Sequence, residues 1–316
     1  MSAVTPQMVK ELREMTGAGM SDCKKALDQA AGNMDKAVEV LRERGLAAAA
    51  KKAGRAAAEG MVNAFIAPGN NMGFIVEINC ETDFVTRNDE FQNLVSEVTK
   101  TVLTQKPTNL DELLALPFQG GASLKDTIPA LVAKIGENIA VRRMEKLGGH
   151  TQSVVASYVH GQGKVGVLVE LTGENVDKFA QNPELLEAGK DVALQVAAMK
   201  PQFTDRTEIS PVVLEKESQL FYQQYKAQGK PEAALPKIVS SRIETWFKEI
   251  CLQEQLFVKD DTKSVQNFLA ETGKKLGITG LKVKSFLRLE LGEGVEKRSD
   301  DFATEVAAQI AEATKK

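Results

Sequence analysis

The chain has 316 residues, 43% hydrophobic and 26% charged, with a formal net charge of -3. That length suits two or more domains, the composition gives no sign of long disorder, and the slight acidic excess argues against a general nucleic-acid binder, although a local basic face stays open. Cys23, Cys80 and Cys251 lie far apart without CxxC spacing, so neither a disulfide framework nor a zinc site is expected; without a charged-then-apolar leader or a run near the ~18 residues of a membrane span, the expectation is a soluble, cytoplasmic chain.

The opening residues predict three short helices. Thr5 suits an N-cap and Pro6 the first helical position, where its missing N–H costs nothing. Met8, Leu12 and Met15 mark an apolar face, and Gly17-Ala18-Gly19 supplies a stop with two residues free to take positive φ. A second helix from about Ser21 carries Cys23, Ala26, Leu27 and Ala30; a third, after Gly32-Asn33, carries Met34, Ala37, Val38 and Leu41 and should end at Gly45. The Ala-rich stretch from Ala47 to Ala58 then reads as a helical linker.

Val62 to Ile66 and Phe74 to Ile78 are β-rich runs around Pro68-Gly69-Asn70-Asn71, and a helix follows from about Glu90 to Gln105. The pattern returns. Gly73-Phe74-Ile75-Val76-Glu77-Ile78 matches Gly166-Val167-Leu168-Val169-Glu170-Leu171 at an offset of 93 (166 − 73), and Glu90 through Pro107 matches Glu184 through Pro201 at 94 (184 − 90). We expect an internal duplication of a hairpin-plus-helix unit. Leu214, Phe221 and Tyr225, then Val239, Ile243, Trp246 and Ile250, flank Gly229-Lys230-Pro231 and predict an antiparallel helical hairpin. Phe302, Val306 and Ile310 predict a last helix, packed in the core or docking on a partner. The expected class is α+β, in five parts: 1-46, a helical bundle; 47-60, the linker; 61-150 and 151-292, two related core subdomains, the second with the hairpin inserted at about 208-257; and 293-316, a C-terminal helical module.

Only two histidines, His150 and His160, are available for metal or acid–base work, and no GxxxxGK[S/T] loop is present. Gly161 to Gly166 matches GxGxxG, but strands precede and follow it, so a hairpin turn is expected and no cofactor. The informative stretch is Glu77 to Asn88, which leaves the first strand pair and enters the following helix; the second copy lacks its Asp-Phe-Val string. A connection that differs on a shared scaffold suits a binding loop. Phe84 has two readings: it fills its own core, or it is presented to a partner.

Leu12 through Leu27 resembles the N-terminal signature of the elongation factor Ts family, and Glu77 through Arg87 its second signature, with Thr86 where Ser or Ala is more usual. Lys134 to Ile139, Gly229-Lys230-Pro231, Gly292-Glu293-Gly294 and Phe302-Ala303 extend the likeness over nearly the whole chain. The resemblance implies a non-enzymatic guanine nucleotide exchange factor for elongation factor Tu, with an N-terminal module similar to ubiquitin-associated domains and no direct contact with nucleic acid or membrane. It implies partner contacts at Lys10, Arg13 and Met20, at Thr82, Asp83, Phe84 and Val85, and at Ile135, Gly136 and His160. Phe302 and Val306 would dock a C-terminal module, and the hairpin would mediate assembly or self-association. A solvated basic face competes for Lys10 and Arg13, and a plain surface histidine for His160.

Overall fold

The computed structural model describes residues 4–295. The Thr5 hydroxyl accepts from the Met8 amide and caps α1 (Pro6–Thr16), with Pro6 at its start. Gly17, at φ 65°, closes the helix by donating its N–H to the Arg13 carbonyl. Gly19 does not share that conformation: at φ -62° it leads into α2 (Met20–Gln29). With α3 (Met34–Lys52), these helices enclose Leu12, Cys23, Ala26, Leu27 and Ala37. The buried face of α1 is Val9 and Leu12, whereas Met15, expected inside, is 64% exposed beyond its edge.

The chain then forms β1 (Glu59–Ile66) and β2 (Met72–Cys80), an antiparallel pair. Asn88 caps α4 (Asp89–Gln105), which buries Phe91, Leu94, Val95, Val98 and Val102 as its periodicity requires. α5 (Leu110–Ala115) and α6 (Leu124–Ile135) lead to β3 (Ile139–Gly148), completing a sheet of order β1-β2-β3. Gly45 does not end the third helix. It is buried within α3, beside Pro129 and Ala130 of α6. The helix therefore runs on to Lys52, across the expected boundary at 46.

A second sheet, of order β4-β5-β8, is built from β4 (Ser153–His160), β5 (Val165–Thr172) and, much later, β8 (Lys282–Glu290). Between them come α7 (Pro183–Met199), α8 (Pro211–Ala227), α9 (Leu235–Ile250), the short strands β6 (Leu256–Phe257) and β7 (Asp260–Ser264), and α10 (Val265–Leu276). α8 and α9 share a small core of Phe221, Trp246, Phe247 and Ile250. The GxGxxG stretch is the turn between β4 and β5, as expected, with Gly161, Gln162 and Gly163 all at positive φ.

The architecture is α+β with small sheets. Phe74, Val76 and Ile78 of β2 face α4 to α6, while Ile75 faces the other sheet; β5 does likewise with Val167, Val169 and Leu171 against Leu168. Strands covered on both sides read as near-continuous apolar runs. The joint between the sheets is reciprocal. Gly73 leaves no room for a Cβ beside Val155 and Leu168, and Gly166, 93 positions later, leaves none beside Val62 and Ile75, which lie 93 before those two. The Val155 amide donates to the Asn70 carbonyl (2.6 Å), and the Val62 amide to that of Gly163 (2.8 Å), at the same offset. Each half contacts the other as the other contacts it, the geometry of a two-fold interface within one chain. Phe302, Val306 and Ile310 lie outside the described residues.

Candidate functional site

The loop from Glu81 to Asn88 leaves the end of β2, the central strand of the first sheet. Cys80 is buried there and its thiol lies 3.1 Å from the Thr82 carbonyl; burial above all, helped by the nearby Glu137 and Glu59, pushes the thiol up to about 12. Thr82 is held by one carboxylate: its amide donates to Glu137 Oε2 (2.9 Å) and its hydroxyl to Glu137 Oε1 (2.6 Å). Asp83 is exposed, and its carbonyl accepts from the Thr86 hydroxyl (2.6 Å). Val85 turns inward at 7% exposure, and Gln92 Nε2 holds the Thr86 carbonyl (2.5 Å). Phe84 is 79% exposed.

Of the two readings of Phe84, the structure thus gives the outward one. A tight turn places consecutive residues on different sides, and Val85 takes the place in the core. The equivalent connection in the second half behaves otherwise. Val176 is buried and Phe179 packs partly against the second core. Backbone hydrogen bonds and the Asn88 cap fix the turn from which Phe84 projects, so an apolar ring worth about 1.5–3 kcal/mol on burial stands ready for another surface.

Ile135 and Gly136 directly precede Glu137, which holds Thr82. Gly136 ends α6 in the left-handed region (φ 91°), Ile135 before it is half-buried, and the Gly136 carbonyl accepts from Lys52 Nζ at the end of α3 (2.5 Å). Lys134 pairs with Glu90 (2.6 Å) and lies against Gly17, so the turn that precedes Met20 sits at the end of α6. Met20 is 49% exposed. Lys10 and Arg13 are exposed on α1, and the Lys10–Glu14 pair is long, at 3.9 Å, and of little energetic weight. His160 is exposed at the end of β4, its ring Nδ1 3.1 Å from the Tyr158 hydroxyl. The following turn is tied to β1 by Lys164–Glu59 (2.7 Å), and Glu59 pairs with Cys80 in the ladder, which puts His160 at the loop's end of the sheet. Phe302 and Val306 lie outside the described residues. Among the described residues, no group of three or more His, Cys, Asp or Glu side chains is placed to hold a metal ion.

Two contributors escaped the sequence reading. Glu137 stands 55 residues from Thr82, and nothing local links them. Glu77 is fully buried between the sheets, where it accepts from Arg142 Nη1 (3.1 Å), Arg143 Nε, Asn79 Nδ2 (3.0 Å) and the Gly292 amide (2.8 Å). Burial would raise its carboxyl, but the Gly292, Arg143 and Asn79 hydrogen bonds outweigh burial and hold it below the ordinary value. Arg142 Nη2 also reaches the Glu293 carbonyl (2.6 Å), so this cluster fixes the end of the second half on the first. The signal was a lone Glu in each apolar strand, since Glu170, its counterpart, is equally buried.

The family model described as "Elongation factor TS" matches residues 81–293. The chain is 46% identical over 304 residues to the elongation factor Ts of Clostridium perfringens (strain SM101 / Type A), covering 96% of this chain and 98% of that protein. It is 47% identical over 309 residues to that of Clostridium tetani (strain Massachusetts / E88), covering 97% and 99%, and 44% identical over 307 residues to that of Clostridium botulinum (strain Alaska E43 / Type E3), covering 97% and 99%.

Proposed function

The chain belongs to the elongation factor Ts family, and on that premise we propose that it is the guanine nucleotide exchange factor of elongation factor Tu in translation elongation. It binds the GTPase, promotes GDP release by disturbing the Mg²⁺ and phosphate site, and stabilises the empty state until GTP enters. It acts by protein contact, without catalysing a chemical step of its own, in the cytoplasm, and needs neither cofactor nor nucleic acid. No helix among the described residues is long and apolar enough to cross a membrane.

The observation that carries this reading is Phe84, exposed at the tip of a hydrogen-bonded loop that Glu137, the residue after Gly136, holds in place. Asp83 and Phe84 press between elements of the GTPase that hold Mg²⁺ and the β-phosphate; Thr82 and Val85, expected as contacts themselves, instead hold the loop's shape, Thr82 through Glu137 and Val85 by its burial. Ile135, Gly136 and His160 widen this contact. Lys10, Arg13 and Met20 of the bundle, similar to ubiquitin-associated domains, grip the nucleotide-binding domain, and Phe302 and Val306 dock the C-terminal module. We assign residues 1–46 to that bundle, 47–60 to the linker, helical only as far as Lys52 with β1 already begun at Glu59, 61–150 and 151–292 to two duplicated halves, and 293–316 to the C-terminal module. The reciprocal joint between the sheets supports the duplication. The hairpin, inserted at about 208–257, serves assembly or self-association, which the exposed Val212, Val213 and Leu220 of α8 support.

The physical requirement is linkage. An exchange factor must bind the empty GTPase more tightly than the GDP form, and GDP then weakens its binding by the same factor. Moving a two-state population from 1:99 to 99:1 takes about 5.5 kcal/mol of differential affinity, while one buried aromatic supplies about 1.5–3. Several patches must therefore share the work. Stopped-flow release of a fluorescent GDP analogue from elongation factor Tu tests the reading. The wild-type chain should accelerate release, and Phe84→Ala should slow the stimulated rate by about one to two orders of magnitude without changing the melting curve. An unaltered rate removes Phe84 from the site, and equal affinity for loaded and empty GTPase removes the mechanism.

A further inference from the structure

We propose that Glu137 is the positioning residue that sets the Asp83–Phe84 loop for exchange, a role that rests on the function proposed above. The first half of the loop hangs from the turn after α6. Glu137 takes both donors of Thr82, the amide at 2.9 Å and the hydroxyl at 2.6 Å. The next residue repeats the attachment: the Asn138 amide donates to Glu81 Oε1 (2.6 Å), and its side-chain amide to the Arg55 carbonyl (2.9 Å). The second half hangs from α4 through the Asn88 cap and the Gln92 bond to Thr86. Between these anchors, Asp83 and Phe84 project into solvent.

The matching place in the second half shows what an ordinary loop needs there. Gly277 ends α10 in the left-handed region (φ 75°), as Gly136 ends α6, and the next residue is Ile278, 3% exposed, packed against Gly173. The incoming loop is met by a backbone carbonyl, Thr279 accepting from the Glu174 amide (2.9 Å). Packing and one main-chain bond close that loop. Only the half that presents an aromatic uses a carboxylate to grip the loop by two donors. A charge-assisted pair of this kind is shorter and stronger than a neutral one, and it fixes direction as well as distance.

The test uses the full chain and measures stimulated GDP release together with hydrogen exchange of the Thr82 to Asn88 amides in the free protein. Glu137→Ala should slow stimulated release roughly tenfold, as expected for losing a charge-assisted hydrogen-bonded pair, and should speed amide exchange in the loop. Glu137→Gln keeps an oxygen for the Thr82 amide but loses the charge, and should slow release less than Glu137→Ala does. Thr82→Val, which loses only the hydroxyl, should fall between. In a Phe84→Ala background Glu137→Ala should add clearly less than it does alone, because a positioning residue acts through what it positions and only Asp83 is left to misplace. Slowing that adds in full to that of Phe84→Ala would overturn the proposal, as would loop amides no faster in Glu137→Ala than in wild type. If the wild-type chain itself fails to speed GDP release, the exchange reading falls, and the amide measurement still decides whether Glu137 orders the loop.

Discussion

Phe84 and Val85 are neighbours with opposite fates, one 79% and the other 7% exposed. A turn of one residue type or another could have reversed them, which is why the sequence marked the string but left its direction open. The buried acid Glu77 allows a sharper expectation. Replacing it by Ala removes the carboxylate that Arg142 and Arg143 share and leaves an unfilled site, at a cost of about 1–3 kcal/mol in urea denaturation. Its carboxyl is depressed in the folded state, so its contribution is fully present above the unfolded Glu value and fades as pH falls through the lower folded value. Glu77→Gln should therefore be less stable at neutral pH and lose less on acidification; parallel acid curves would refute this. Cys80, with its thiol pushed up to about 12, carries almost no thiolate at pH 8 and should not react with a disulfide reagent until the protein unfolds. Rapid labelling of Cys80 in the native state would contradict that.

Among the elements, those with a clean period were legible: α1, α2, α4 and α7 to α9, and the four strands of the two hairpins. Those missed lack such a pattern. β3 carries Arg142, Arg143, Glu145 and Lys146 on an edge, and α6 contains Pro129, which reads as a breaker. Gly45 misled in the other direction, because a glycine can end a helix or lie inside one, and only the tertiary packing decides. The two glycine environments predict opposite outcomes. A Cβ at Gly45 would find ordinary contacts at 3.7–3.8 Å, so Gly45→Ala should stabilise α3 by up to about 1 kcal/mol. A Cβ at Gly166 would come within 2.5 Å of Val62 and 2.9 Å of Ile75, so Gly166→Ala should destabilise by about 1–3 kcal/mol. Thermal melts of both variants check the sign; a stabilised Gly166→Ala would mean that the joint yields more than its geometry indicates, and a destabilised Gly45→Ala that α3 packs more tightly on α6 than its contacts show.

For the whole molecule, the 93-residue offset was visible in the sequence because strands buried on both faces tolerate little variation, whereas the reciprocal joint between the halves was not, since contacts across a chain leave no local pattern. The site follows the same division. Its loop was legible as a difference between the copies, but the clamp and the placement of the bundle came only from folding. If the bundle grips elongation factor Tu, Arg13→Glu combined with Met20→Ala should weaken binding by about tenfold in calorimetry, the equivalent of ~1.4 kcal/mol, and leave the melting temperature unchanged. Undiminished affinity would confine the contact to the loop. α3 has a further bearing on how that complex forms. It runs unbroken from the bundle onto α6 and is fastened to Gly136 through Lys52, so the bundle is not a weight on a string. If both the loop and the bundle are contacts, two grips on one frame would arrive in a single collision and surrender their tumbling freedom once. Association should accordingly show one concentration-dependent phase, without the slower, concentration-independent capture that a tethered module would add.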